Sequence, residues 1–494
     1  MKIHMTRRSS IVTNADSSRR RQALGMTVFF WSRAVSAPDR RYDHSAAFAR
    51  NLLMAFCVLM LALALPAVAQ NASAPDSGVY AIKGARIFTL AGAPIDNGTI
   101  VIRDGKIAAV GANVQIPSDA KVIDATGLEV YPGMFDPVTQ IGLEEVGAVK
   151  ATVDTVETGE FNPDVTAATA FNADSAHVDV TRADGITEAL TVPGSLGGGF
   201  GGGGGSVIGG NASAVDLGGW NINDMVIRRD AAMELTWPTI AAGSFDPETF
   251  SFRRLPFDEA KKQYQKRVDA LSDLFDKARH YGQAMQSGAT NFPQDLKLAA
   301  LARVVDGQEP LLVIANSDRD IRHAIEFSEA QKVHMILAGA ADAWKTVDLL
   351  KKDSIPVIIG PVLSIRQQDD DAYDAEYSLG AKLYSAGVKI AFASFNTSFS
   401  RRLPQYAGTS VGYGLPHDEA LKAVTVNAAQ MLGLNDIGTL EPGKVANVVV
   451  TNGDLLELRT QVKYLFIKGQ LTSLDNKQLE LYKRYSHRPK SSTP

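Results

Sequence analysis

Few side chains in this 494-residue sequence can do chemistry. Cys57, the only cysteine, lies inside an apolar run and leaves with it if that run is a signal segment. A zinc-thiolate site, a disulfide and a cysteine nucleophile are then excluded. His177, His280, His323, His334, His417 and His487 are the histidines beyond the leader. His334 begins a strand-like run, while His280 and His323 fall on helical patterns. His177, in Asp174-Ser175-Ala176-His177-Val178-Asp179, marks the one cluster with the flavour of a metal site, and a surface turn is favoured there over a ligand set. Glu144, Glu145, Asp154 and Glu157 follow an early strand closely enough to suggest an oxygen-only magnesium or calcium site. Such hard cations need several oxygens held together. No Gly-x-Ser-x-Gly motif is present, and no histidine is placed to act as base for a serine or threonine. The glycine-dense stretch 194–219 lacks the Lys-Ser or Lys-Thr pair of a phosphate-binding loop, which leaves a platform or lid over a cavity, or a linker. The acidic run Asp369-Asp370-Asp371 with Asp374 reads as a solvated face at a helix start.

These residues must be positioned by elements that the sequence punctuates clearly. Asp104-Gly105 between alternating apolar residues predicts a hairpin, and Asp96-Asn97-Gly98 predicts a second turn. Strand-like runs at 311–314, 333–337, 357–359 and 389–393 alternate with helical stretches at 318–329, 341–351, 374–386 and 417–432. That alternation predicts parallel βα units. Tyr264, Val268, Leu271, Phe275 and Ala278 recur at helical spacing and predict a core-facing stripe.

The balance of 50 basic and 54 acidic residues leaves no footprint for nucleic acid. Ten basic and three acidic residues fall in 1–69. Within that leader, 14 apolar residues at 52–65 follow Arg40, Arg41 and Arg50 and precede Ala67-Val68-Ala69. That run is too short to span a bilayer and has the layout of a Sec-type signal core. Cleavage after Ala69 is expected, giving a periplasmic or secreted protein with no membrane anchor.

The chain resembles the amidohydrolase superfamily, nearest its imidazolonepropionase-like and secreted dipeptidase-like branches. Ile82-Lys83-Gly84-Ala85-Arg86-Ile87 and Gly98 to Ile107 are similar to the family's opening strands. Asp124-Ala125-Thr126-Gly127 and Tyr131-Pro132-Gly133-Met134-Phe135-Asp136 lead into its first barrel strand. Ala423 to Ala429 and Gly438 to Val450 resemble its closing helix and return strand. The resemblance implies an α/β fold: a (β/α)8 TIM-type barrel carrying a composite β-sandwich formed by both chain ends, with any site at the C-terminal ends of the barrel strands. The implied division is a leader at 1–69, sandwich at 70–131 and 436–480, barrel at 132–435, and a tail at 481–494.

Such barrels normally hold zinc or another divalent metal through imidazole and carboxylate ligands. Val138 and Gln140 stand where the family carries a His-x-His pair after Asp136. Ile314 replaces the strand-five histidine, Ala338 the strand-six polar ligand, and Phe395 the strand-eight aspartate. Asp136, Asn316 and Asn396 are the polar candidates for the pocket. The catalytic residues are unknown, and no metal or other cofactor is expected. Two readings follow. One is a non-catalytic or strongly diverged binding or assembly subunit, as a homo-oligomer or paired with a related amidohydrolase. The other is an active hydrolase of peptide or non-peptide carbon–nitrogen bonds with a rebuilt site. A small molecule or peptide is an admissible ligand of either, and the loss of every expected ligand favours the first. N-terminal sequencing of the exported protein is expected to begin at Gln70, and an intact leader would contradict the signal reading.

Overall fold

The computed structural model describes residues 78–196, 206–241, 243–246, 251–288, 293–365 and 371–487. The leader, Cys57, Asp369 and Asp370 lie outside them, as does the glycine run 197–205. The described chain opens with β1 (Tyr80–Ile87), β2 (Ile95–Arg103), β3 (Lys106–Gly111), β4 (Lys121–Asp124) and β5 (Glu129–Pro132). Asp104 and Gly105 both take positive φ, 52° and 75°, as a tight hairpin between β2 and β3 requires. Asp96-Asn97-Gly98 is not the predicted turn. It lies within β2, where the pairing with β1 shifts register on either side of Ala85. The turn chemistry is used there as an irregularity that bends the strand.

The chain then enters the barrel through β6 (Met134–Thr139), β7 (Ile186–Thr191), β8 (Gly210–Asp216) and β9 (Val226–Thr236). A two-stranded hairpin, β10 (Gly243–Asp246) and β11 (Ser251–Arg254), follows. The helix Phe257–Gln286 buries Tyr264, Leu271, Phe275 and Ala278, and half-buried Val268 packs against the same core. The barrel resumes with β12 (Leu311–Ala315), β13 (Met335–Gly339), β14 (Val357–Ile359) and β15 (Ile390–Phe392). The chain returns to the first sheet as β16 (Val448–Thr451), β17 (Val462–Ile467) and β18 (Gln470–Thr472). Both ends of the described chain thus build one eight-stranded sheet, ordered β18-β17-β16-β5-β1-β2-β3 with β4 also on β1.

The barrel sheet runs β15-β14-β13-β12-β9-β8-β7-β6. It is a TIM-type barrel with a departure from the regular (β/α)8 pattern. β8 is antiparallel to both neighbours, so the glycine-rich connection joins two strands rather than a strand and a helix. A hairpin needs no crossover helix, and only the four-residue helix Ile222–Met225 stands between β8 and β9. Closure falls to the segment just after β15. There Phe395 N–H donates to Val138 O at 2.9 Å and Ser394 N–H to Asp136 Oδ1 at 3.0 Å. The predicted helix at 417–432 is broken into His417–Ala423 and Val426–Met431, because Thr425 leaves helical geometry at φ −137°, ψ −99°. Ala428, Ala429, Leu432 and Leu434 pack against the inner barrel cluster.

Barrel and sandwich are joined by buried polar contacts. Glu188 and Asp216 face each other across β7 and β8. Asn447, just before β16, donates its amide to Glu188 at 2.6 Å and to Asp216 at 2.9 Å, and Lys468 Nζ lies 2.9 Å from Asp216. Burial raises the pKa of both carboxyls, and the Asp216 charge raises Glu188 further. Burial also pushes Glu309 up to about 7 and Asp184 up to about 6, against the lowering effect of Arg303 and Arg401 respectively. Each raised carboxyl binds its proton more tightly when folded. Its contribution is fully present below the ordinary carboxyl range and is lost as pH rises through the folded value. The urea midpoint is therefore expected to fall between pH 5 and pH 8, and a midpoint that rises over that range would contradict these assignments. Replacing Asn447 with Ala is expected to cost about 2–3 kcal/mol, since two buried acceptors lose their donor.

Candidate functional site

In a barrel strand, alternate side chains face the interior, and those near the C-terminal end line the mouth. Val138 on β6, Ile314 on β12 and Ala338 on β13 all belong to one buried apolar cluster, with Phe135, Leu190, Leu312, Ile336 and Ile358. Phe395 packs against it, half-buried, with its backbone in the left-handed region at φ 53°. The structure therefore brings together four of the five positions where the sequence lacks the expected ligand, as a hydrophobic plug. The fifth, Gln140, is half-buried at the rim and donates Nε2–H to Gly194 O at 2.7 Å.

The polar candidates lie elsewhere. Asp136 is fully buried and accepts from Ser394 N–H at 3.0 Å and Ser400 Oγ–H at 2.6 Å. Burial raises it to about 6 despite those bonds, and its role is to tie β6 to the segment after β15. Asn316 is exposed at the end of β12. Asn396 is exposed, and its Oδ1 accepts from Phe399 N–H at 2.9 Å, a local turn contact.

Three of the histidines are held individually. His177 Nε2 is 2.9 Å from Glu145 O, His323 Nδ1 is 2.7 Å from the Tyr264 hydroxyl, and His417 Nε2 is 2.7 Å from Asp454. His334 and His280 are exposed, and His487 lies at the end of the last helix. Among the described residues, no three His, Cys, Asp or Glu side chains come close enough to hold a metal ion. That includes the acidic set after β6.

Sequence reading did not identify Glu234. On β9, Met233 and Leu235 face the outer core, while Ala232 joins the inner cluster, so Glu234 shares the inner face. It is fully buried, and desolvation raises it to about 8. Gly209 N–H donates to it at 2.7 Å, and Thr236 Oγ1 is 2.6 Å away. One acidic residue in Ala231-Ala232-Met233-Glu234-Leu235 was the available signal. The run Arg228-Arg229-Asp230 before it obscures the strand.

Residues 314–472 match the model of the amidohydrolase family. The chain is 22% identical over 413 residues to the amidohydrolase tasK of Hapsidospora irregularis, covering 76% of this chain and 39% of that protein. It is 23% identical to the imidazolonepropionase of Symbiobacterium thermophilum, covering 74% of this chain and 88% of that one. An amidohydrolase structure from Thermotoga maritima matches with a TM-score of 0.69 and 26% identity, over 80% of this chain and 99% of that chain. Together these similarities support assignment of the chain to the amidohydrolase superfamily.

The divalent metal implied by the superfamily does not fit the donors present. Val138, Ile314, Ala338 and Phe395 offer no lone pair to a cation, and the Gln140 amide is engaged with Gly194 O. Replacing Asp136 with Ala is expected to destabilise the fold by about 2–4 kcal/mol, because it orphans a buried N–H and a buried hydroxyl. Urea denaturation at pH 7 measures that cost, and an unchanged midpoint would remove Asp136 as the barrel's clasp.

Proposed function

We propose that this amidohydrolase-superfamily barrel is a non-catalytic binding or assembly subunit, exported through its leader and working without a metal cofactor. The observation that carries the reading is the apolar replacement at the mouth. A hydrolytic metal site needs three or four convergent nitrogen or oxygen ligands to lower the pKa of a bound water, and Val138, Ile314, Ala338 and Phe395 supply none. No step of hydrolysis is assigned to any residue.

The loops at this end of the barrel favour a partner-facing role. Val146 and Val149 after β6, Trp344 after β13, Leu363 and Ile365 after β14, and Phe399 after β15 are large apolar side chains left exposed. Exposed apolar side chains grouped on neighbouring loops suit an interaction surface, although Trp220, Phe257, Leu296 and Leu458 are exposed elsewhere. A second copy of this chain or a related amidohydrolase is the partner proposed.

The test compares the purified protein with added zinc or manganese against the same protein with chelator, on a panel of dipeptides and cyclic amides. Equal, background-level turnover in both arms is the expected result. Metal-dependent, chelator-sensitive turnover would overturn the proposal in favour of a hydrolase with a rebuilt site.

A further inference from the structure

The connection between β7 and β8 has two described stems, residues 192–196 and 206–209, and both meet at the Glu234 carboxyl. Gly209 N–H donates to Glu234 Oε2, and a Cβ on Gly194 or on Gly209 would fall 2.6 Å from that same oxygen. A Cβ on Gly209 would also lie 2.5 Å from Gly194 Cα, so the stems touch each other over the carboxyl. Gln140 holds Gly194 O, and Gly194 N–H donates to Thr155 O at 2.6 Å. Thr236 Oγ1 is 2.6 Å from Glu234 Oε1 and 3.2 Å from Ser195 O.

Thr236 has one hydroxyl proton and two acceptors within reach. Both contacts are satisfied together only when the carboxyl brings a proton of its own. Glu234 Oε1–H then donates to Thr236 Oγ1, and Thr236 donates onward to Ser195 O. An ionised Glu234 takes the Thr236 proton instead, and Ser195 O loses that donor. We propose that Glu234 is a proton-operated tie between the two described stems beside β9, holding both when neutral and releasing the Ser195 stem when ionised.

The surroundings suit this role. Leu312 is its partner on β12, Gly210 its partner on β8, and Gln140 at the end of β6 is neutral. Burial drives its pKa up to about 8, with the Thr236 and Gly209 bonds acting the other way and no charged group contributing. Ionisation therefore falls within an ordinary pH range, and an ionised group in an apolar barrel favours admitting water.

Hydrogen exchange of Gly194, corrected for its intrinsic rate and referenced to amides of β12 and to Gly209, tests the tie. In the wild-type protein, protection of Gly194 is expected to fall as the pH rises toward 8, by at most about tenfold per pH unit, and to level off above it, while Gly209, which donates to the carboxyl in either state, keeps its protection. Glu234→Gln keeps a donor toward Thr236 and an acceptor for Gly209 at every pH, so its protection should be flat. Thr236→Val, which removes the relay with little change of shape, should show reduced protection already at pH 6. Coincident wild-type and Glu234→Gln profiles from pH 6 to pH 9 would overturn the proposal. So would wild-type protection at pH 6 in Thr236→Val.

Discussion

Desolvation of carboxyl groups is the constraint on which the rest of this structure depends. A carboxylate moved from water into an apolar interior loses several kcal/mol unless it is paired, so it finds donors, shares a cation or keeps its proton. Asp136 takes the first course, with donors from Ser394 and Ser400. Asp216 takes the second, through Lys468. Glu234 takes the third, because nothing cationic faces it. The three solutions sit at the barrel seam, the joint with the sandwich and the mouth.

The same constraint bears on the barrel mouth, where the inward-facing side chains are largely apolar. A divalent cation normally draws several strands together at the mouth. Here Val138, Ile314, Ala338 and Phe395 pack in one apolar cluster, and polar groups beside them are spent on backbone. Gln140 and Thr236 hold carbonyls of the 194–195 stem, and Glu234 holds the amide of the 209 stem. The antiparallel β8 makes this possible. It starts at the mouth and runs back from it as the second arm of a hairpin, which places both stems beside β9 instead of leading one away to an outer helix.

Much of the fold was legible because it is encoded locally. Asp104-Gly105 specifies its hairpin through two positive φ angles that few other pairs tolerate, and the βα alternation from β12 to β15 follows the apolar runs. The strand contexts of Val138, Ile314 and Ala338 were legible for the same reason: each lies in an apolar run that the structure places on a barrel strand. What escaped depends on distant partners. The 96–98 segment has turn chemistry, but pairing with β1 draws it into a strand. β8 and β9 are small-residue and charge-interrupted segments whose strand character comes from neighbours. The place of Glu234 on the inner face could be known only once the register of β9 was known.

Metal content tests the central claim most directly. The protein is purified without chelator, incubated with zinc or manganese, passed through gel filtration and analysed for bound metal per chain. The account requires well below one equivalent of either ion. Near-stoichiometric metal that survives filtration would contradict it and would mean that ligands other than the replaced positions form a site.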